Sequence, residues 1–534
     1  MKRRIPLHKP QNFPPDWEAR FLTSDTIPTE EQLCRRDHMD DEIYNEWKLQ
    51  INTKALVYAA MQALNATSVT PNIISKSIGS FNRVFLISFP STKDTPEFRV
   101  AARVLRGKGR MPGRIEATAA IMSLALARGL LVPEVYAWHP GTDNPVGAPY
   151  ILLEWAKGED IWRSWIYYTK EEKVNFLEEI ARHHAKLAEP LPFVGIGNVR
   201  FANAEAGHDL PPDKMDSYRV GGPFLPGPLC TQDSRSAIWP QTIPTSLRDF
   251  WVAIWQHEVD FITSKHGADR SVIITDDEDE TPATLGELLE VAASVRVLID
   301  KCVLPSPNDY PSVYEPCFVP TDYAFRNMIM DPKTCKITAL IDWDDVYIMP
   351  FLLCSRYPEE ICFSDGVDED RWDKSGRFPF LPLDEEGEVP EEDESIGIAA
   401  PNGPPTAERG CNRSEENQGS EDRGTVETAV CPASHAEDDK DGGSDAETGK
   451  DEENIPAMLD ADEVDFHRRV RETRLRREYE KLLASADARF ASDGFWQMRE
   501  DPLKIQHLVM SGWAEWLLYA SWIQERAIEM KLAI

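Results

Sequence analysis

The chain has no stretch of 18 or more uncharged apolar residues anywhere in its 534. Its most apolar window, Leu508–Ile523, holds Glu515 inside and falls short of the roughly 20 residues that a bilayer-spanning helix needs. The opening MKRRIPLHKPQNFPP has bases with no apolar segment behind them, so it does not read as a secretory leader. Cysteine is scarce and odd in number: nine residues, widely scattered, with no CxxC pair. Neither a disulfide framework nor a zinc site is legible in that spacing. A reducing compartment is expected, the cytoplasm first and the nucleus second. Bases are short too, with 58 Lys and Arg against 91 Asp and Glu, a net charge of −33. Nucleic acids and anionic membranes are polyanions that such a surface repels, so neither is expected as a partner.

What is present is enough apolar material, 42% of residues, for sizeable cores, and enough length for two or three domains. Most of the acidity is local. Residues 384–465 carry 27 acids and 5 bases, a charge of −22, and are rich in Gly, Pro and Ser. That composition buries too little apolar surface to offset chain entropy, so the segment is expected to be a disordered acidic insertion. A basic protein is the partner it would suit. Helical spacing appears at Asp40–Leu64, Gly113–Gly129, Thr169–Ala188, Thr245–His266 and Thr284–Cys302. Thr169 with Glu172, and Thr284 with Glu287, read as capping boxes. Strand character appears at Arg83–Phe89 and Phe98–Leu105, which could pair as a hairpin, and again at Val135–Trp138 and Pro149–Glu154. Strands come first and helices second, a two-lobed α+β plan.

One strand-rich piece interrupts the helical half: CFVPTDYAFRNMIMDPKTCKITALIDW, Cys317–Trp343. It reads as strand, loop, strand, turn, strand. Asp322 and Asn327 lie five apart across the loop, and Asp342 ends the last strand. Apolar flanks bury the strands and leave these three side chains at strand ends, facing a cleft. Phosphoryl transfer uses such a set: one carboxylate orients the attacking hydroxyl and accepts its proton. A second carboxylate and an amide oxygen hold Mg²⁺ against nucleotide phosphates.

TDYAFRN followed by ALIDW resembles the catalytic loop and metal-binding segment of the aminoglycoside phosphotransferase family, fungal-type members included. The resemblance covers roughly residues 70–360 and implies a protein-kinase-like fold with ATP and Mg²⁺ between a small β-rich lobe and a large helical lobe. It makes Asp322 the catalytic base, Asn327 a Mg²⁺ ligand and Asp342 the principal Mg²⁺ ligand. IGSFNRVFLISF is similar to the family's first hairpin, which puts Gly79, Ser80 and Asn82 over the phosphates. Arg103 stands where kinases place a phosphate-binding Lys, and Glu116 matches the helix acid that pairs with that base. The backbone of Glu154, Trp155 and Ala156 corresponds to the hinge that meets adenine. SRYPEEI, after the metal-binding Asp, also resembles fungal members.

Two departures stand out. The family's His–Gly before the base is Pro320–Thr321, and the phosphate loop has the single glycine Gly79. Asp344 and Asp345 either stay solvated or lend a further carboxylate to the metal. His183 and His184 are expected to be surface or core residues. Trp162, Trp165, Tyr167 and Tyr168 line the cleft or pack between lobes. Glu258 and Asp260 either draw an amine-bearing acceptor or are solvated helix-surface acids. The expected organisation is a helical extension (1–69), the small lobe (70–156), the large lobe with both loops (157–383), the acidic insertion (384–465) and C-terminal helices packed on the large lobe (466–534). The activity that follows is transfer of the ATP γ-phosphate to a hydroxyl of a small molecule. The alternative is a catalytically weak or inactive nucleotide sensor or scaffold.

Overall fold

In a computed structural model of the chain, the described residues are 27–36, 49–66, 71–78, 82–91, 96–105, 113–165, 168–202, 214–222, 242–274, 282–362, 475–492 and 494–532, with Phe13, Asp16, Trp17 and Val69. All belong to the unit made of Met1–Phe380 and Arg469–Ile534. The expected acidic insertion, Gly79, Ser80 and Tyr167 lie outside the described residues.

Five strands make the small lobe: β1 Asn72–Ile78, β2 Asn82–Phe89, β3 Phe98–Leu105, β4 Val135–His139 and β5 Tyr150–Glu154. They lie in the order β1-β2-β3-β5-β4, every pair antiparallel. The hairpin expected of β2 and β3 forms in register from Asn82 opposite Leu105 to Phe89 opposite Phe98, whose rings stack at 4.4 Å. Strand alternation then sorts the faces. Val100, Ala102 and Val104 join Phe85, Ile87 and Leu152 in a core closed by the helix Thr53–Ala63. Residues of the opposite parity, Ala101, Arg103 and Leu105, share the other face with Ile151 and Leu153, toward the helix Arg114–Ala127 and the large lobe. The two-residue period of β3 is what aims Arg103 inward.

Of the helix expected over Asp40–Leu64, residues 40–48 lie outside the described residues, and within 49–64 the helix spans Thr53–Ala63. Gln50 takes the left-handed φ of 58°, and extended Asn52 caps the helix that starts at Thr53, its side chain accepting from the Ala55 amide at 3.1 Å. The buried Arg83 of β2 reaches back to Glu30, 3.7 Å away, which ties the N-terminal extension to the sheet.

The large lobe is built on the helices Lys170–Leu187, Leu247–His266 and Leu285–Lys301, and both capping boxes read from sequence are present. The C-terminal helices Glu500–Ser511, Trp513–Leu518 and Ala520–Leu532 pack onto the last two. Trp251 Nε1 donates to Gln506 Oε1 at 2.7 Å, and the Trp513 amide meets Glu258 at 3.3 Å. Seven short strands complete the lobe: β6 Glu159–Asp160, β7 Asn198–Phe201, β8 Tyr218–Gly221, β9 Pro316–Pro320, β10 Met328–Asp331, β11 Lys336–Leu340 and β12 Val346–Pro350. An antiparallel sheet with one intervening helix, followed by a largely helical lobe carrying the β10–β11 hairpin, is the two-lobed α+β plan expected from the sequence.

Candidate functional site

Two strand pairings put the three polar residues side by side. β9 runs antiparallel to β12 with Pro320 opposite Val346, so the loop after β9 lies against the residues just before β12. The Thr321 amide and hydroxyl both donate to the Asp345 carbonyl, at 3.1 and 2.9 Å, and fix that edge. The Pro320–Thr321 replacement therefore brings its own tether for the loop. β10 and β11 pair with Met328 opposite Leu340, and one step further the Ile341 amide donates to the Asn327 carbonyl at 2.8 Å. Asp322 is thus held beside Asp342, with Asn327 between their backbones.

Side chains finish the arrangement. Phe325 is fully buried against Trp165 (4.7 Å) and Phe176 (5.4 Å), which anchors the loop between Asp322 and Asn327. Its amide donates to both Glu360 oxygens at 2.8 Å, and the Glu359 amide donates to the Tyr323 carbonyl at 3.0 Å. The SRYPEEI segment is the strap across the loop. Asn327 Nδ2 donates to the Asp322 carboxylate at 3.0 Å and to its carbonyl at 3.1 Å, which turns the amide oxygen the other way. Arg326 bridges Asp322 and Glu359.

Arg103 meets this group from the small lobe. Its Nη2 lies 3.0 Å from Asp342 Oδ1 and 2.9 Å from Asp344 Oδ2, and its Nη1 lies 3.5 Å from Asp344 Oδ1. Burial works against the Arg103 charge, but Asp344 and Asp342 outweigh it and raise its pKa. Burial alone would lift the Asp344 carboxyl. Arg103, Arg114, Asn82 and Thr118 instead hold it at about 2. Enclosure raises Asp342, Arg103 opposes that, and the nearby Asp344 and Asp322 add to the rise. Enclosure likewise lifts Asp345 to about 6 against the pull of Arg114, whose Nη2 is 2.9 Å away.

The expected pairing of Glu116 with Arg103 does not form. Glu116 faces Arg200 of β7 at 3.7 Å. Successive helix residues turn by about 100°, so Thr118, two positions on, points the opposite way and takes the Arg103 side. Asp344, expected to be solvated or on the metal, is 8% exposed and stands where the helix acid was expected. The sequence signal for it was the Asp-x-Asp spacing of Asp342 and Asp344, although the left-handed turn at Asp342, which brings both carboxylates to Arg103, is not written in that spacing. Arg326 was also missed; it sits on the loop between two residues already singled out. Asn82, expected on phosphate, donates its amide to Asp344 at 2.9 Å. Glu258 is buried at the start of the helix Trp513–Leu518, not open to an amine, whereas Asp260 is exposed and accepts from Gln256 at 2.8 Å. His184 is a core residue hydrogen-bonded to Tyr479 at 2.8 Å. Trp165 is buried and Trp162 is 58% exposed. At the hinge, the Glu154 amide donates to the Glu134 carbonyl (2.8 Å) and the Trp155 amide to the Arg99 carbonyl (3.3 Å). Among the described residues nothing accepts from the Ala156 amide.

The donor set suits Mg²⁺. Asp342 and Asn327 offer hard oxygens on one side of the crevice, and no described group of three His, Cys, Asp or Glu is arranged to hold a metal by itself. Mg²⁺ is ordinarily bound by one or two protein oxygens, with water and phosphate oxygens completing its shell.

No family model matches the chain. Over 350 residues, 59% of the chain, it is 23% identical to a subtelomeric hrmA-associated cluster protein of Aspergillus fumigatus, and it spans 64% of that relative's length. Over 155 residues, 26% of the chain and 25% of the relative, it is 29% identical to the altered inheritance of mitochondria protein 9 of Meyerozyma guilliermondii. Among solved structures it is similar to a putative aminoglycoside phosphotransferase of Ralstonia eutropha, with 13% identity and a TM-score of 0.36 over 59% of this chain and 72% of that one. It is also similar to the streptomycin–ATP ternary complex of APH(2'')-IIa (13%, TM-score 0.32, 59% and 76%). A third is a choline kinase of Cryptosporidium parvum (13%, TM-score 0.31, 56% and 67%).

Proposed function

We propose that the chain is an ATP- and Mg²⁺-dependent phosphotransferase that moves the γ-phosphate to a hydroxyl of a small molecule. The observation that carries this reading is the meeting of Asp322, Asn327 and Asp342 with the Arg103 guanidinium from the opposite lobe. In this reading the Ala156 amide binds the adenine edge and Arg103 binds phosphate oxygens. Asp342 and the Asn327 amide oxygen hold the metal, and bound Mg²⁺ supplies neutralisation of phosphate charge. Asp322, oriented by Asn327 and Arg326, directs the acceptor hydroxyl and takes its proton as the oxygen attacks phosphorus. Such catalysis is positioning and charge neutralisation more than covalent chemistry.

The cytoplasm, a small-molecule acceptor and a basic protein docked on residues 384–465 complete the proposal. Among the described residues no helix is long and apolar enough to cross a membrane. A second reading, a nucleotide-binding scaffold without turnover, is favoured by one feature: Arg326 already engages the Asp322 carboxylate.

Calorimetric titration of the purified chain with ATP, with and without Mg²⁺, tests the first reading together with Asp342→Ala. Magnesium-dependent binding that Asp342→Ala removes while circular dichroism stays unchanged is the expected result. Binding without consumption of ATP in the presence of a metabolite extract would favour the scaffold, and no binding at all would end both.

A further inference from the structure

The helix Arg114–Ala127 puts no acid on Arg103; its Thr118 hydroxyl donates instead to Asp344, the carboxylate that Arg103 meets. We propose that Asp344, on the turn between β11 and β12, is the positioning residue that holds Arg103 at the phosphate site, in the place that the resemblance gives to Glu116. The proposal rests on the reading of Arg103 as a phosphate-binding residue.

The contacts separate the two acids on Arg103 by what each can do. The Asp342 side chain is 46% exposed, so a ligand can reach it. The Asp344 side chain is 6% exposed and closed off by Asn82, Arg103 and Thr118. One Asp344 oxygen accepts from Asn82 Nδ2 and Arg103 Nη2, both at 2.9 Å. The other accepts from Thr118 Oγ1 at 2.8 Å and faces Arg103 Nη1 at 3.5 Å. A carboxylate engaged on both oxygens by a planar guanidinium fixes the direction of that fork, which a single contact does not. Asn82, Arg103 and Thr118 come from β2, β3 and the helix Arg114–Ala127. Asp344 therefore gathers three small-lobe elements onto the loop that also carries Asp342, so the metal-side loop sets the distance between the phosphate-binding charge and the metal-binding carboxylate. Glu116, paired with Arg200 on the far side of the helix, has no part in this.

The test measures the dissociation constant of ATP with Mg²⁺ for the full chain, its Asp344→Asn, Asp344→Glu, Glu116→Gln and Thr118→Val variants, with thermal unfolding of each free protein beside it. Asp344→Asn is expected to weaken ATP binding by tenfold or more, about 1.4 kcal/mol per tenfold, and Glu116→Gln by less than twofold. Asp344→Glu should recover part of the loss, which a merely structural role would not give. Thr118→Val keeps the carboxylate and removes a hydroxyl that fixes it, so it reports even if Asp344→Asn does not fold, and a loss of about threefold is expected. Equal affinity for Asp344→Asn and the unaltered chain, or a larger loss for Glu116→Gln than for Asp344→Asn, overturns the inference. An unaltered chain that binds no ATP overturns the functional reading beneath it, an outcome separate from the first two.

Discussion

At Asp342 the backbone has φ of 61°, a region that non-glycine residues enter at a cost of order 1 kcal/mol and that Asp tolerates better than most. The Ile341 amide on Asn327, the Trp343 indole on the Leu340 carbonyl (2.8 Å) and the Arg103 ion pair hold it there. This is strain placed where a carboxylate is turned out of the strand to face the crevice. Two residues on, Asp344 carries a titration that should be visible in stability. Its folded pKa of about 2 lies below the ordinary 3.8, so it contributes stability above pH 4 that is lost as the pH falls toward 2. A shift of that size corresponds to about 2 kcal/mol. Urea unfolding at pH 5 and pH 2.5 should show the unaltered chain losing more stability over that interval than Asp344→Asn does. Equal losses would mean that the carboxylate is not held charged by its neighbours.

Among the elements, the passage from the hinge into the large lobe is the most constrained. Gly158 has φ of 135°, and a Cβ there would press into the Met330 carbonyl, with the Ile329 side chain 3.0 Å away. The close approach is what lets β6 pair with β10, Glu159 opposite Met330, and so seat the β10–β11 hairpin against the segment that follows β5. Gly158→Ala should destabilise the protein by more than about 1 kcal/mol, because both the backbone region and the space exclude a side chain. Chemical denaturation measures this directly. An unchanged midpoint would show that the hinge and hairpin can separate without loss. Phe325, packed on Trp165 and Phe176, does the same work from within, fixing the loop that presents Asp322 and Asn327.

At the scale of the molecule, residues 384–465 hold −22 of the net −33, and none of the described side chains that meet at the candidate site comes from that stretch of sequence. A chain joined across 384–465 is expected to keep the ATP affinity of the full chain within about threefold, less than 1 kcal/mol, and to elute much earlier from an anion exchanger. Loss of nucleotide binding in that chain would tie the acidic segment to the site.

The order of strands and helices was legible in the sequence because it follows from periodicity and caps, which are local. The two capping boxes, the β2–β3 hairpin and the strand–loop–strand setting of Asp322, Asn327 and Asp342 are all written in spacings of a few residues. Which acid meets Arg103 was not. That depends on the rotation of one helix about its axis and on where the β9–β12 ladder sets down the turn after β11, which together bring Asp344 onto residues 226 to 262 positions away. Motif spacing names the groups that take part in a site, whereas only the folded chain decides which of them touch.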